Sequence, residues 1–292
     1  MKTRDVFLIF FLLVSLTAWA DTTINDTNKD AYGANIGWIN CQGDVTNGAV
    51  IGEYVCSGYL YAANAGWIHL GDGSPADGIQ YANDSDTDYG VNHDGFGNLD
   101  GLAYGANIGW IAFESQGDPK VNLSDGKLSG YAWSANCGWI SLAGTIDAGG
   151  DFYVQTDFIE SGADTDGDGI TDAWEYGWAG NLDDFTATSD TDGDSKTDVE
   201  EHLADTNPYD VYDNLKLISF IRLGLTDLFD LTFTSNETRV YAVEASTDLL
   251  NWVDHGDSIF PPDPGLQTMK TVDTLGLPQR FFRVQAMKPL SP

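Results

Sequence analysis

Two runs of residues in the middle of the chain have the types and spacing to hold a hard divalent cation. Asp164, Asp166, Asp168, Asp172 and Glu175 stand at positions 1, 3, 5, 9 and 12 of the run DTDGDGITDAWE. Gly169, at position 6, permits a sharp turn, and Ile170, at position 7, offers its backbone carbonyl. This is the full ligand spacing of an EF-hand calcium loop, in which about six to eight oxygens surround the ion. Carboxylates alternating this closely repel one another unless a cation lies between them. A second run starts 26 residues later, where Asp190, Asp192, Asp194, Asp198 and Glu201 repeat the offsets. There Ser195 replaces the glycine and must take a strained backbone, so this site is expected to be weaker or differently shaped. Lys196 at its position 7 offers only a carbonyl and can point its side chain outward. The expectation is two Ca2+ sites, the first the more firmly specified.

The flanks of these loops differ from a full EF-hand. No long helix precedes Asp164. A short helix is expected from about Thr171, carrying Ala173, Trp174 and Tyr176, and another from Thr197 to Leu203, ending before Asn207-Pro208. The two loops and their DTNP ending resemble calcium-binding segments of bacterial surface proteins related to thrombospondin type 3 repeats. The resemblance covers residues 163–208. It implies calcium binding and an extracellular spacer role, and nothing enzymatic.

Before this segment, one phrase recurs four times: Asn35-Ile36-Gly37-Trp38-Ile39, Asn64-Ala65-Gly66-Trp67-Ile68, Asn107-Ile108-Gly109-Trp110-Ile111 and Asn136-Cys137-Gly138-Trp139-Ile140. The sequence AYGANIGWI occurs at Ala31 and again 72 residues later at Ala103. Alternating positions, a small Ala-Asn-x-Gly turn and then Trp-Ile mark short strands joined by tight turns. Trp and Ile fall on opposite faces of a strand, so at least one of each pair is core. Hairpins of this kind must stack into one β unit to bury an apolar face. The pattern does not distinguish a sandwich, a barrel or a solenoid. Repetition at fixed register points to Trp as packing; the sharper alternative is that the Trp and Tyr rings stack on sugars. This region resembles the Gly-Trp-Ile repeats of secreted bacterial proteins. The acids Asp84, Asp86, Asp88 and Asp94 lie where the period breaks and match no ligand spacing, which reads as a solvated loop.

In the 72-residue register Cys41 aligns with Phe113 and Cys56 with Leu128. Both positions become large and apolar together, which suggests contact and predicts a Cys41–Cys56 disulfide. Cys137 aligns with Ala65 and reads as a buried small residue. After the acidic segment, Leu215–Phe220, Leu231–Phe233, Arg239–Ala245 and Arg280–Val284 are strand-like, and Trp252 is expected in the core. Thr247–Trp252 and Phe281–Val284 resemble C-terminal β-sandwich modules on exported bacterial proteins. A fibronectin- or immunoglobulin-like sandwich suits this length.

Composition bounds the remainder. The 292 residues carry 45 acids against 13 bases, a net charge of −32. That excludes nucleic acid and anionic membrane surfaces as partners, since both need a basic face. Residues 161–213 hold 16 acids and one base, whereas 214–292 are almost balanced. These shifts divide the chain into 1–20, 21–160, 161–213 and 214–292. Residues 1–20 read as a signal peptide: Lys2 and Arg4, an apolar stretch from Val6 to Leu16, and Ala18-Trp19-Ala20. The mature chain then has no transmembrane helix and is secreted, extracellular or bound at the cell surface.

The fold class expected is mainly β: a repeat-built β domain, an Asp-rich calcium-binding linker with short helices, and a C-terminal β-sandwich. His69, His93, His202 and His255 are scattered, so no zinc site is expected, and no nucleophile motif appears. The chain reads as a non-catalytic, calcium-binding modular structural protein. An adhesin or carbohydrate-binding protein using the repeat aromatics is the alternative, and a glycan-active hydrolase a more distant one. Calcium ions, and surface polysaccharide or other surface proteins, are the expected partners.

Overall fold

The computed structural model describes residues 22–43, 46–146, 150–256, 259–276 and 279–291. The expected signal peptide lies outside them. The protein is mainly β, with two short helices. Among the described residues no helix is long and apolar enough to cross a membrane.

Each Gly-Trp-Ile phrase is the second strand of a hairpin. β1 (Ile24–Gly33) pairs with β2 (Gly37–Asn40). β3 (Val50–Ile51) folds onto β4 (Cys56–Ala62), which pairs with β5 (Gly66–Gly71). β6 (Val91–His93) folds onto β7 (Leu99–Gly105), which pairs with β8 (Gly109–Phe113). β9 (Lys120–Val121) pairs with β10 (Leu128–Ser129), and β11 (Tyr131–Ser134) with β12 (Gly138–Ser141). β13 (Ala143–Ile146) and β14 (Gly150–Thr156) complete the region, β14 lying against β1. The four hairpins join edge to edge in chain order, and β12 returns to β1. All eight strands are antiparallel neighbours, so the sheet closes on itself and leaves no free edge in this ring.

Closure decides which half of each Trp-Ile pair is core. Ile39, Ile68, Ile111 and Ile140 point inward and are at most 4% exposed. Opposite them stand Ala31, Leu60, Ala103 and Ala132. The interior of an eight-stranded barrel is just wide enough for such side chains. Trp38, Trp67, Trp110 and Trp139 therefore point outward and are 42–46% exposed. This corrects the expectation that the repeated Trp is packing: register holds the isoleucine inside and carries the indole outside with it.

One mouth of the barrel is tied by the turn asparagines. Asn35 Nδ2 donates to the Cys137 carbonyl at 3.0 Å, Asn136 to Ile108 at 2.9 Å, Asn107 to Ala65 at 3.1 Å and Asn64 to Ile36 at 3.1 Å. The four bonds run hairpin to hairpin and form a closed circuit. The third turn residue plugs the mouth, and its size is matched to the strand beside it. A Cβ on Gly33 or Gly105 would fall 2.8 or 2.7 Å from Ile36 or Ile108. Where the strand residue is Ala62 or Ser134, the plug is the smaller Ala65 or Cys137. Cys137 is thus a buried small residue for a steric reason.

Cys41 and Cys56 are free thiols, not a disulfide. Both lie in the core at the far end of the barrel, around a cavity of about 30 Å³ shared with Phe113 and Leu128. Their joint replacement after 72 residues reflects occupation of one core rather than a disulfide. Burial pushes both thiols up to about 12, which makes them unreactive.

α1 (Asp172–Trp178) and α2 (Asp198–Ala204) follow the two acidic loops, as the sequence placed them. Thr197 caps α2: its hydroxyl accepts from Glu200 N while Glu200 reaches back to Thr197 N. The apolar cluster of this segment is Ile170, Trp174 and Phe185.

Beyond it lie two three-stranded antiparallel sheets. β15 (Leu217–Arg222), β16 (Leu228–Thr234) and β19 (Gln267–Asp273) form one; β17 (Val240–Ser246), β18 (Val253–Asp254) and β20 (Phe281–Met287) form the other. Leu231, Phe233, Tyr241, Val243, Phe260 and Val272 make their common core. Trp252 is only half-buried; the Arg283 guanidinium lies 4.5 Å over its ring, which corrects its assignment to the core.

Candidate metal centres

Each acidic loop is wound by its own first carboxylate. Asp164 accepts from Gly167 N at 2.8 Å and from Gly169 N at 3.0 Å. Asp190 accepts from Gly193 N at 2.8 Å and from Ser195 N at 3.0 Å. The turn needs a left-handed backbone at position 6: Gly169 has φ +96° and Ser195 has φ +78°. Serine bears there the strain that its Cβ implies, on the order of 1–2 kcal/mol.

Winding brings the carboxylates together. Asp164, Asp166 and Asp168 each offer an oxygen within 4.8 Å of the others, as do Asp190, Asp192 and Asp194. Among the described residues these two triplets are the acid clusters with metal-ligand spacing. Asp88 and Asp94 accept hydrogen bonds from backbone and side-chain groups of their own loop.

The acids at position 9 are clasps. Asp172 accepts from Thr165 N at 2.7 Å and Thr165 Oγ1 at 2.6 Å. Asp198 accepts from Thr191 N at 3.0 Å, Thr191 Oγ1 at 2.9 Å and Ser189 Oγ at 2.6 Å. They pin the second loop residue to the first turn of the helix. Their oxygens accept hydrogen bonds within the loop and stand outside the triplets, where a position-9 acid can reach an ion through water.

The position-12 glutamates carry the decisive geometry. Glu175 is fully buried, and neither of its carboxylate oxygens has a partner. Glu201 is 1% exposed; its Oε1 has only a long contact with Thr206 Oγ1, 3.4 Å, and its Oε2 has none. Asp168 Oδ2 and Asp192 Oδ2 are also buried and unpartnered. Five of the nine buried side-chain atoms without a partner, among the described residues, are therefore oxygens of these loops. Burial, and then the neighbouring aspartates, push Glu175 and Glu201 up to about 8. Buried carboxylate oxygens with no donor cost roughly 1–3 kcal/mol or more each, a cost that a bound cation would offset. The donor set is all oxygen, which suits calcium rather than zinc.

Ile170 and Lys196 supply position 7 differently. The Ile170 side chain is fully buried and anchors the first loop. Lys196 turns its ammonium out toward Glu200, 3.7 Å away. The second loop has instead a contact no spacing rule could indicate: Asn214, from the chain leading to β15, donates to Asp194.

The loops are fixed to one another and to both neighbours. His202 Nε2 meets Thr171 Oγ1 at 3.1 Å, and its ring lies 5.5 Å from Trp174. Burial, then the charges of Lys288 and Arg239, hold His202 neutral, down to about 2. Tyr54 of the barrel region reaches Thr171 Oγ1 at 3.4 Å. On the other side Arg239 caps the open end of α2, donating from Nε to Leu203 O and from Nη2 to His202 O, both at 2.9 Å. Asp205, left-handed at φ +56°, accepts from Thr238 Oγ1 and gives its carbonyl to Asn236. Lys288 closes the junction on Glu53 of the barrel region at 2.8 Å. The acidic segment is thus the shared wall between two β units.

No protein-family model, curated protein or solved structure matches the chain.

Proposed function

We propose that this is a secreted or cell-surface, non-catalytic, calcium-binding structural protein. Calcium orders residues 161–213 and thereby sets the geometry between a repeat-built β-barrel and a C-terminal β-sandwich. The observation that carries this reading is the pair of buried glutamates, Glu175 and Glu201, with unpartnered oxygens among wound aspartate triplets. The sites are of the EF-hand-loop, thrombospondin type 3-like kind; Asp164, Asp166, Asp168, Glu175 and the carbonyl of Ile170 make the first, and Asp190, Asp192, Asp194, Glu201 and the carbonyl of Lys196 the second. Asp172 and Asp198 support them. Arg239, Asp205 and Lys288 transmit the order of the segment to its neighbours.

Calorimetric titration of the chelator-treated protein with CaCl2 tests the reading. Two saturable sites are expected, with constants on the order of 10⁻⁴–10⁻³ M, as in extracellular modules. Absence of saturable heat at millimolar calcium contradicts it.

A second reading, glycan binding by the barrel, is favoured by one observation: the four repeat Trp rings face solvent. The barrel does not require them outside for its own core, which Ile and Ala fill.

A further inference from the structure

The outward face of the barrel carries the same aromatic group four times, assembled from different parts of the chain. Each hairpin presents a cross-strand pair: Tyr32–Trp38, Tyr61–Trp67, Tyr104–Trp110 and Trp133–Trp139, with ring centroids 5.0, 5.0, 4.9 and 5.0 Å apart. Each pair has a third ring. In the second and fourth hairpins it is Tyr59 or Tyr131, from the first strand of the hairpin itself, 6.1 Å from the Trp in both. The first hairpin takes Phe152 from β14, 5.1 Å from Trp38. The third takes Tyr89 from the loop that breaks the repeat, 4.9 Å from Trp110. Duplication of a repeat unit accounts for the pairs but not for third rings recruited from β14 and from an insertion.

The rings pack edge to face or tilted, with no gap between facing planes. Each cluster is therefore a faceted aromatic platform of steeply inclined, partly exposed rings rather than a cage around a cation. An exposed Trp or Tyr ring with polar groups beside it can stack on a pyranose ring, and Asn40, His69 and Ser141 follow two residues after three of the Trp residues on the same outward face. Charge narrows the polymer. Residues 21–160 hold 19 acids and three bases. The bases are engaged: Lys29 with Gln42, Lys120 with Asp118, and Lys127 with Asp125. Polyanions are repelled from such a surface.

We infer that the barrel is a four-site cross-linker of non-acidic polysaccharide, an inference that rests on the glycan-binding reading. One cluster per hairpin in a closed ring of four hairpins places the platforms about a quarter turn apart around the barrel. Their Trp exposures fall within 42–46%, so neither the calcium segment nor the C-terminal sheets cover any of them. Platforms facing different directions cannot all lie along one extended chain. They engage separate chains or separate stretches, and joint engagement raises avidity without any new contact.

The test uses the whole calcium-loaded protein with a soluble neutral β-glucan, a soluble neutral mannan and hyaluronate. Tryptophan fluorescence reads binding; light scattering against the protein-to-polymer ratio reads cross-linking. With the glucan or the mannan, binding and a scattering maximum at intermediate ratio are expected; with hyaluronate, neither. The variant Trp38→Ala, Trp67→Ala, Trp110→Ala keeps one platform and leaves the inward residues untouched. It should bind, with unchanged far-ultraviolet circular dichroism, and lose the scattering maximum. Binding by the unmodified protein without scattering at any ratio overturns the four-site inference and leaves the glycan reading standing. Absence of binding to all three polymers overturns both, and equal binding of hyaluronate overturns the assignment of the polymer.

Discussion

The barrel and the acidic segment are stabilised by opposite means. Among the described residues, 27 buried apolar residues form the barrel region's core, against three in the segment. The barrel's polar groups are largely answered internally, by the strand ladder and by the asparagine circuit. The segment concentrates unanswered carboxylate oxygens in its interior. A sequence can fold on burial and backbone pairing, or it can leave part of its interior to an ion; on the proposed function this chain does both in adjacent stretches. The difference predicts that one region ignores calcium and the other depends on it.

The largest effect separating them is expected from Glu175→Gln. Removing the buried charge should lower calcium affinity at the first site by more than about 100-fold, beyond the 10–100-fold typical of outer-shell losses. In chelator above about pH 8, where Glu175 is ionised, the same change should raise stability, because a neutral amide replaces a carboxylate without donors. Opposite signs in calcium and in chelator distinguish a ligand from a packing residue. Parallel chemical denaturation in the two conditions reads this directly.

A pH series sharpens the contrast next. The calcium-free pKa values of Glu175 and Glu201, about 8, lie above the ordinary 4.5. Their contribution therefore favours the folded segment at low pH and is lost as pH rises through about 8. In chelator, proteolytic cleavage within residues 161–213 should quicken between pH 6 and 8.5. In calcium it should not, because protons compete with the ion and binding strengthens over the same interval.

Asn107→Ala breaks one link of the asparagine circuit. It should cost the barrel about 1 kcal/mol and leave both calcium constants unchanged. The smallest effect belongs to Ser195→Gly, which relieves a left-handed serine. A gain of roughly 1 kcal/mol or less at the second site is expected, seen as a severalfold tighter constant with the first site unaltered.

The sequence made the acidic segment legible because ligand spacing is local: a loop of twelve residues, with its capping threonine and short helix, is written in consecutive positions. Even so, it could not show that Asp172 and Asp198 clasp Thr165 and Thr191, or that Asn214 reaches Asp194 from 20 residues away. In the barrel the hairpins were legible and their closure was not. Pairing of β12 with β1 joins residues more than 100 positions apart, and only that closure sends Ile39 inward and Trp38 outward. The free thiols follow from the same fact, since positions in one barrel core can change together without a bond between them. In the C-terminal sheets β18 and β19 are not legible: Val253–Asp254 is two residues long, and QTMKTVD lacks a regular alternation of apolar and polar residues.

Amide hydrogen exchange followed by mass spectrometry, with and without calcium, tests the central claim most directly. Calcium should slow exchange across residues 163–208, with a smaller gain at Asn236–Arg239, where the C-terminal unit holds α2. Exchange in the barrel strands should be unchanged. Equal protection of residues 163–208 in calcium and in chelator would contradict the account.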